Sequence, residues 1–119
     1  MTYLLDFDYT IADTSVCNGI ASNNFKEKQK LIPQYRIYSE ALEFINNANA
    51  NGIPIYIVSG NVGSTIKQTI DYFNLPLDKS KVIGYCRFMP MDNLKRKIAV
   101  INKAITKHNL DKSDILYIR

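Results

Sequence analysis

A chain of 119 residues, 46% hydrophobic and 22% charged, has room for one core rather than two and is too apolar to be read as disordered. Its apolar runs, such as Ile53 to Val58, fall far short of the roughly 20 residues a membrane helix needs, and Thr2 to Asp8 reaches two acids without the basic start or long apolar stretch of a signal peptide. The net charge of +4 reflects 15 basic against 11 acidic residues; with no nucleic-acid-binding motif the lysines read as a solvated surface, so neither membrane nor nucleic acid is an expected partner, and the expected compartment is the cytoplasm.

The chain opens on Thr2 to Thr10, TYLLDFDYT, an apolar β-prone run followed by two aspartates one residue apart. Strand side chains alternate, so Asp6 and Asp8 should point one way at the strand's carboxyl end while Phe7 turns aside. Like carboxylates this close repel, and the pair therefore asks for a cation. Ile11 to Pro33 shows no sustained period and reads as a loop, with one turn of helix at most.

From Tyr38 the pattern becomes helical, with Tyr38, Ala41, Leu42, Ile45 and Ala48 on one face, Ser39 as the cap and a stop near Asn51 and Gly52. Ile53 to Val58 (IPIYIV) reads as a buried parallel strand running into Ser59, Gly60 and Asn61, and a helix follows over Thr65 to Phe73 with Pro76 marking its exit. Lys81 to Tyr85 reads as a third strand and Cys86 to Asn93 as a turn. The next helix should bury Leu94, Ile98, Ile101 and Ile105 and close at His108, whose imidazolium would suit the helix dipole. Asp114 to Ile118 (DILYI) is a fourth strand. Cys17 and Cys86 are expected as reduced thiols.

Strands alternating with helices imply a single α/β domain over residues 1–119, a three-layer Rossmann-like parallel sheet of about four strands flanked by helices. The carboxyl ends of its strands share one rim. Asp6, Asp8 and Thr10 should meet Ser59, Gly60 and Asn61 there, with Lys95 reaching in from the third helix. Carboxylate oxygens suit Mg²⁺, and hydroxyl, backbone N–H and ammonium donors suit a phosphoryl group.

In these motifs the chain resembles the haloacid dehalogenase-like hydrolases: DFDYTIADTS as the first, IYIVSGN as the second, a lysine of NLKRKIAVINKAI as the third, and NLDKSDILYI as the approach to the fourth. The resemblance implies phosphate-monoester hydrolysis through an aspartyl-phosphate. Asp6 would be the nucleophile and Asp8 the general acid and base. Mg²⁺ would be held by the Asp6 carboxylate and the Asp8 main-chain carbonyl, and Thr10, Ser59 and Lys95 would hold phosphoryl oxygens.

Lys95 is preferred because in similar proteins the third-motif lysine lies nine positions before the helix alanine, here Ala104; Lys97 is the alternative. Tyr9 stands where small-molecule members commonly have glycine. Arg119 follows DILYI where acids would supply the remaining metal ligand, so the alternative reading is a truncated, catalytically impaired relative that keeps the fold and phosphate binding. A receiver-like domain fits less well, because no acceptor aspartate ends IPIYIV. The spacing leaves no room for a substantial cap. An uncovered sheet edge at DILYI suggests a homo-oligomer, and the expected substrate is a phosphorylated small molecule or phosphoprotein.

Overall fold

The opening strand β1 (Thr2–Leu5) is buried on both faces, as a central parallel strand must be. Leu5 packs to one side with Ile45, Ile57, Ile66 and Ile70, and Leu4 to the other with Val58, Ile83, Val100 and Ala104. The computed structural model describes residues 1–21, 24–84 and 93–118. After β1 come β2 (Ala12–Asp13), α1 (Phe25–Lys30), β3 (Arg36–Ile37), α2 (Ser39–Ala50), β4 (Ile55–Val58), α3 (Gly63–Phe73), β5 (Val82–Ile83), α4 (Asn93–Lys107) and β6 (Ile115–Ile118).

The main sheet runs β5-β4-β1-β6 with every pairing parallel, and β2 and β3 form a separate antiparallel ribbon. Register explains the layers. Leu4 lies opposite Tyr56 and Tyr117, and all three face α4; Leu5 lies opposite Ile57 and Ile118, and all three face α2 and α3. The expected three-layer α/β fold is therefore present, with β6 as an edge strand.

Several local expectations are corrected. The stretch after β1 is more ordered than a loop, holding the β2/β3 ribbon, α1 and 3₁₀ turns at Ser15–Cys17 and Ile32–Gln34. Ser39 is the first residue of α2 and makes no cap bond; Tyr38 occupies the cap position. Helix α4 buries Val100 and Ala104, while Ile98 is 51% exposed, so its inward stripe is rotated from the expected one. His108 does not carry a dipole-stabilised charge: burial first, then Lys107 and Lys81, push its pKa down, and its ring meets Tyr56 edge-on at 4.7 Å. The ends of the expected third strand at Tyr85, the turn over Cys86 to Asp92, and Arg119 lie outside the described residues.

The two helix-to-strand returns share one solution. Asn74 and Asn109 adopt left-handed backbone after α3 and α4, a conformation asparagine tolerates better than most residues. Then Asp78 and Asp111 each accept hydrogen bonds from the amide and hydroxyl of a serine two residues on, forming the turns that enter β5 and β6. Close approach decides the other end of β5. A methyl group at Gly84 would lie 2.8 Å from the Asn61 carbonyl oxygen and nearer still to the backbone of Gly63. Gly84→Ala should therefore destabilise the fold by roughly 1–3 kcal/mol, seen as a lower midpoint in denaturant unfolding.

Candidate active site

Strand parity carries past the end of β1. The Asp6 amide donates to the Ile118 carbonyl at 2.9 Å, so the ladder continues one residue beyond the strand. Two residues after Leu4, Asp6 falls on the α4 side; Phe7, two after Leu5, is fully buried on the other. This is why a helix α4 side chain can meet Asp6.

The side chain that does so is Lys97, whose Nζ lies 2.9 Å from Asp6 Oδ2. The preference for Lys95 is corrected here, and helix geometry gives the reason. Nine residues span two and a half turns, so a residue nine before Ala104 sits about 180° away from it, facing water. Lys97, three before Val100 and seven before Ala104, shares the stripe that packs on the sheet. Lys95 is exposed.

Asp6 is 5% exposed, and its other oxygen accepts the Phe7 amide at 2.8 Å. Two ionic or polar contacts thus fix the carboxylate at the sheet's carboxyl rim. Asp8 Oδ1 accepts the Thr14 hydroxyl at 3.0 Å and the Asn61 side-chain amide at 3.4 Å. Burial pushes the Asp8 pKa up, and the negative charge of Asp6 adds to the rise; the Thr14 and Asn61 hydrogen bonds and the charge of Lys28 on α1 oppose it. The two aspartates therefore share one field yet differ in setting: Asp6 is paired with an ammonium, and Asp8 is biased toward holding a proton.

The β4 turn supplies the opposite wall. Ser59 is fully buried at the end of β4, and its Oγ accepts the Asn61 amide at 3.0 Å, which leaves the hydroxyl hydrogen available as a donor. Asn61 Oδ1 accepts the Val62 amide at 2.8 Å while its amide group reaches Asp8, so Asn61 ties the β4 turn to the first motif. Gly60 packs beside Arg96, with Cβ and Cδ of that arginine in ordinary contact range of its Cα substituent position. Thr10 belongs to the tight turn in which the Phe7 carbonyl accepts the amides of Thr10, Ile11 and Ala12.

Of the expected residues, Asp8, Asn61 and Ser59 are joined through these bonds, while Asp6 pairs with Lys97 rather than Lys95 and meets Asp8 through its charge. Thr14 and Lys28 were not anticipated. The threonine lies within the first motif as quoted, but nothing in its spacing marks it as the partner of Asp8. Lys28 sits on a six-residue polar helix without apolar periodicity. Gln29, beside it, donates to the hydroxyls of Ser64 and Thr65 at the start of α3, which holds α1 next to the β4 turn.

The titration of Asp8 sets a stability prediction. The folded state holds the Asp8 proton more tightly than the unfolded chain, where the group titrates near its ordinary 3.8. Stability present in acid is therefore lost as pH rises from that value through the raised folded-state value. Asp8→Asn keeps the shape and cannot ionise. Its melting temperature should exceed the parent's at neutral pH, and the two should converge near about pH 3, where both side chains are neutral.

Fold and rim together define the class: the chain has the haloacid dehalogenase-like fold. Among solved structures it is similar to a Had-superfamily hydrolase from Ehrlichia chaffeensis, at 16% identity and a TM-score of 0.67, over 99% of this chain and 77% of that one. It is also similar to a predicted phosphatase from Clostridium acetobutylicum (12% identity, TM-score 0.74, 98% and 74% of the two chains). A third is a phosphoserine phosphohydrolase-like protein from Francisella tularensis (14% identity, TM-score 0.60, 98% and 76%). No protein-family model and no curated protein matches the sequence. Among the described residues, no helix is long and apolar enough to cross a membrane.

Proposed function

We propose that the chain is a magnesium-dependent phosphatase that hydrolyses a phosphate monoester, borne by a small molecule or a phosphoprotein, through an aspartyl-phosphate on Asp6. The observation that carries this reading is the division of labour between the two acids. Asp6 is buried against Lys97 at 2.9 Å, while burial and the neighbouring charge raise the Asp8 pKa. One is suited to attack and the other to give up a proton.

In the first step an Asp6 oxygen bonds to phosphorus, the ester P–O bond breaks, and Asp8 gives its proton to the departing oxygen. In the second, water attacks the phosphorus, Asp8 takes the proton back, and the Asp6 carboxylate leaves with phosphate released. Lys97 and the Ser59 hydroxyl, joined by Thr10, offer donors to the phosphoryl oxygens as charge spreads over them. Thr14 and Asn61 hold Asp8 toward the departing oxygen.

The donor set suits Mg²⁺. The charge of Asp6 adds to the cost of ionising Asp8, and a divalent cation beside the pair relieves it. Among the described residues no three His, Cys, Asp or Glu side chains converge, but Mg²⁺ commonly takes one or two carboxylates and completes its shell with water and substrate oxygens. The Asp6 carboxylate and the Asp8 main-chain carbonyl would hold it. When bound, the ion offsets the charge of nucleophile and phosphate together.

The test is phosphate release from an aryl phosphate. Turnover should require added Mg²⁺ and disappear with a chelator. It should fall by about 100- to 10,000-fold in Asp8→Asn, which cannot donate the proton. Absence of release at any Mg²⁺ concentration would favour the alternative, a relative that binds phosphate without turning it over.

A further inference from the structure

Tyr9 stands between Asp8 and Thr10 with φ +62°, in left-handed backbone. Among the described residues, the others with positive φ are glycines and asparagines, which tolerate that region far better than an aromatic residue does. The turn itself is held by backbone groups, the Tyr9 amide donating to the Ala12 carbonyl at 2.8 Å and the Phe7 carbonyl accepting three amides. Glycine would satisfy every one of those bonds without strain.

Nor does the side chain recover the strain by packing. Tyr9 is 56% exposed, and the hydrogen bond from its hydroxyl to Asn18 Oδ1 is long at 3.3 Å and lies in solvent. Strain kept without a folding return is characteristic of residues that meet a ligand. Tyr9 follows Asp8, the acid that meets the leaving oxygen in the function proposed above, so the strained turn that carries the ring starts from the leaving-group side.

We infer that Tyr9 is a specificity-determining residue whose exposed ring provides a stacking face for substrates with a flat, aromatic leaving group. The inference rests on the phosphatase reading for its direction. An exposed ring beside Asp8 can stack on a flat leaving group and has nothing to gain from an alkyl one, which favours aryl over alkyl esters.

The experiment compares phenyl phosphate with ethyl phosphate in the parent, Tyr9→Phe and Tyr9→Gly proteins. Tyr9→Gly should lower kcat/KM for phenyl phosphate by about tenfold, chiefly through KM, and change that for ethyl phosphate by no more than about twofold. Tyr9→Phe, which keeps the ring, should keep most of the preference. The melting temperature of Tyr9→Gly should equal or exceed the parent's, because the strain is relieved. Equal effects on both esters, or a melting temperature lowered by loss of the ring, would overturn the inference. A second arm uses calorimetric binding to Asp6→Asn protein, where no turnover occurs. If the parent hydrolyses neither ester, the phosphatase reading fails. Tyr9 is then judged by binding alone: a preference for phenyl phosphate that Tyr9→Gly abolishes supports it, and equal binding or no binding of the two esters overturns it.

Discussion

Lys97→Met is expected to cost the protein both stability and activity, while Lys95→Met leaves both within about twofold of the parent. Lys97 Nζ is the ammonium 2.9 Å from a carboxylate that is 5% exposed. Removing it leaves the Asp6 carboxylate, among the described residues, with the Phe7 amide and a charge that water reaches poorly. An orphaned buried charge of this kind costs roughly 2–3 kcal/mol, placed at the lower end because the Lys97 side chain itself keeps 34% of its surface in solvent. Phosphatase activity should fall by about 100- to 1,000-fold, the usual effect of deleting one preorganised donor to a charged transition state. Urea unfolding, alongside phosphate release, reads both effects. Equal behaviour of the two lysine variants would show that the Asp6 contact contributes nothing in solution.

That contrast also marks where the sequence stops being legible. Parallel strands buried on both faces appear as unbroken apolar runs, so TYLL, IPIYIV and DILYI announce themselves, and their alternation with helical periods gives the layered fold. Helix phase is harder to read. Helix α4 carries isoleucines at 98, 101 and 105 that satisfy helical spacing, yet the sheet is met chiefly by Val100 and Ala104, smaller residues that allow a close approach, with Ile101 packed at their margin and Ile98 turned outward. The phase of that stripe decides which lysine reaches the rim. The β2/β3 ribbon pairs two residues with two, too few to establish alternation, and the FKEKQK helix is polar throughout. Its placement depends on Gln29 meeting hydroxyls on α3, a contact between segments more than thirty positions apart.

Within the rim, strand order was sufficient for the pairing of the first motif with the β4 turn. Two adjacent parallel strands must end together, so Asp6, Asp8 and Ser59 share a rim once β1 and β4 are neighbours. The bond from Asn61 to Asp8 depends on the course of the turn after β4, and that of Thr14 on the fold-back of the chain through Phe7 to Ala12. Neither follows from spacing alone.

Asp6→Asn carries the largest expected effect on catalysis. The amide keeps the size and can still accept the Phe7 amide, but it is no nucleophile, and activity should fall by at least about 10,000-fold. The fold should survive, since Lys97 is partly exposed and its ammonium can turn to water once the carboxylate is gone. Folded but inactive protein is thus the expected outcome, checked by circular dichroism beside the phosphate assay. A covalent readout separates this from general damage. Parent protein quenched in acid during turnover should carry one added phosphoryl group on the peptide containing Asp6, and Asp6→Asn should carry none. Asp8→Asn, which slows proton transfer in both steps, should change how much of that adduct accumulates without moving it to another residue. An adduct mapped to Asp8, or water-driven release that persists in Asp6→Asn, would require a different nucleophile and would reassign the ion pair with Lys97 to a structural role.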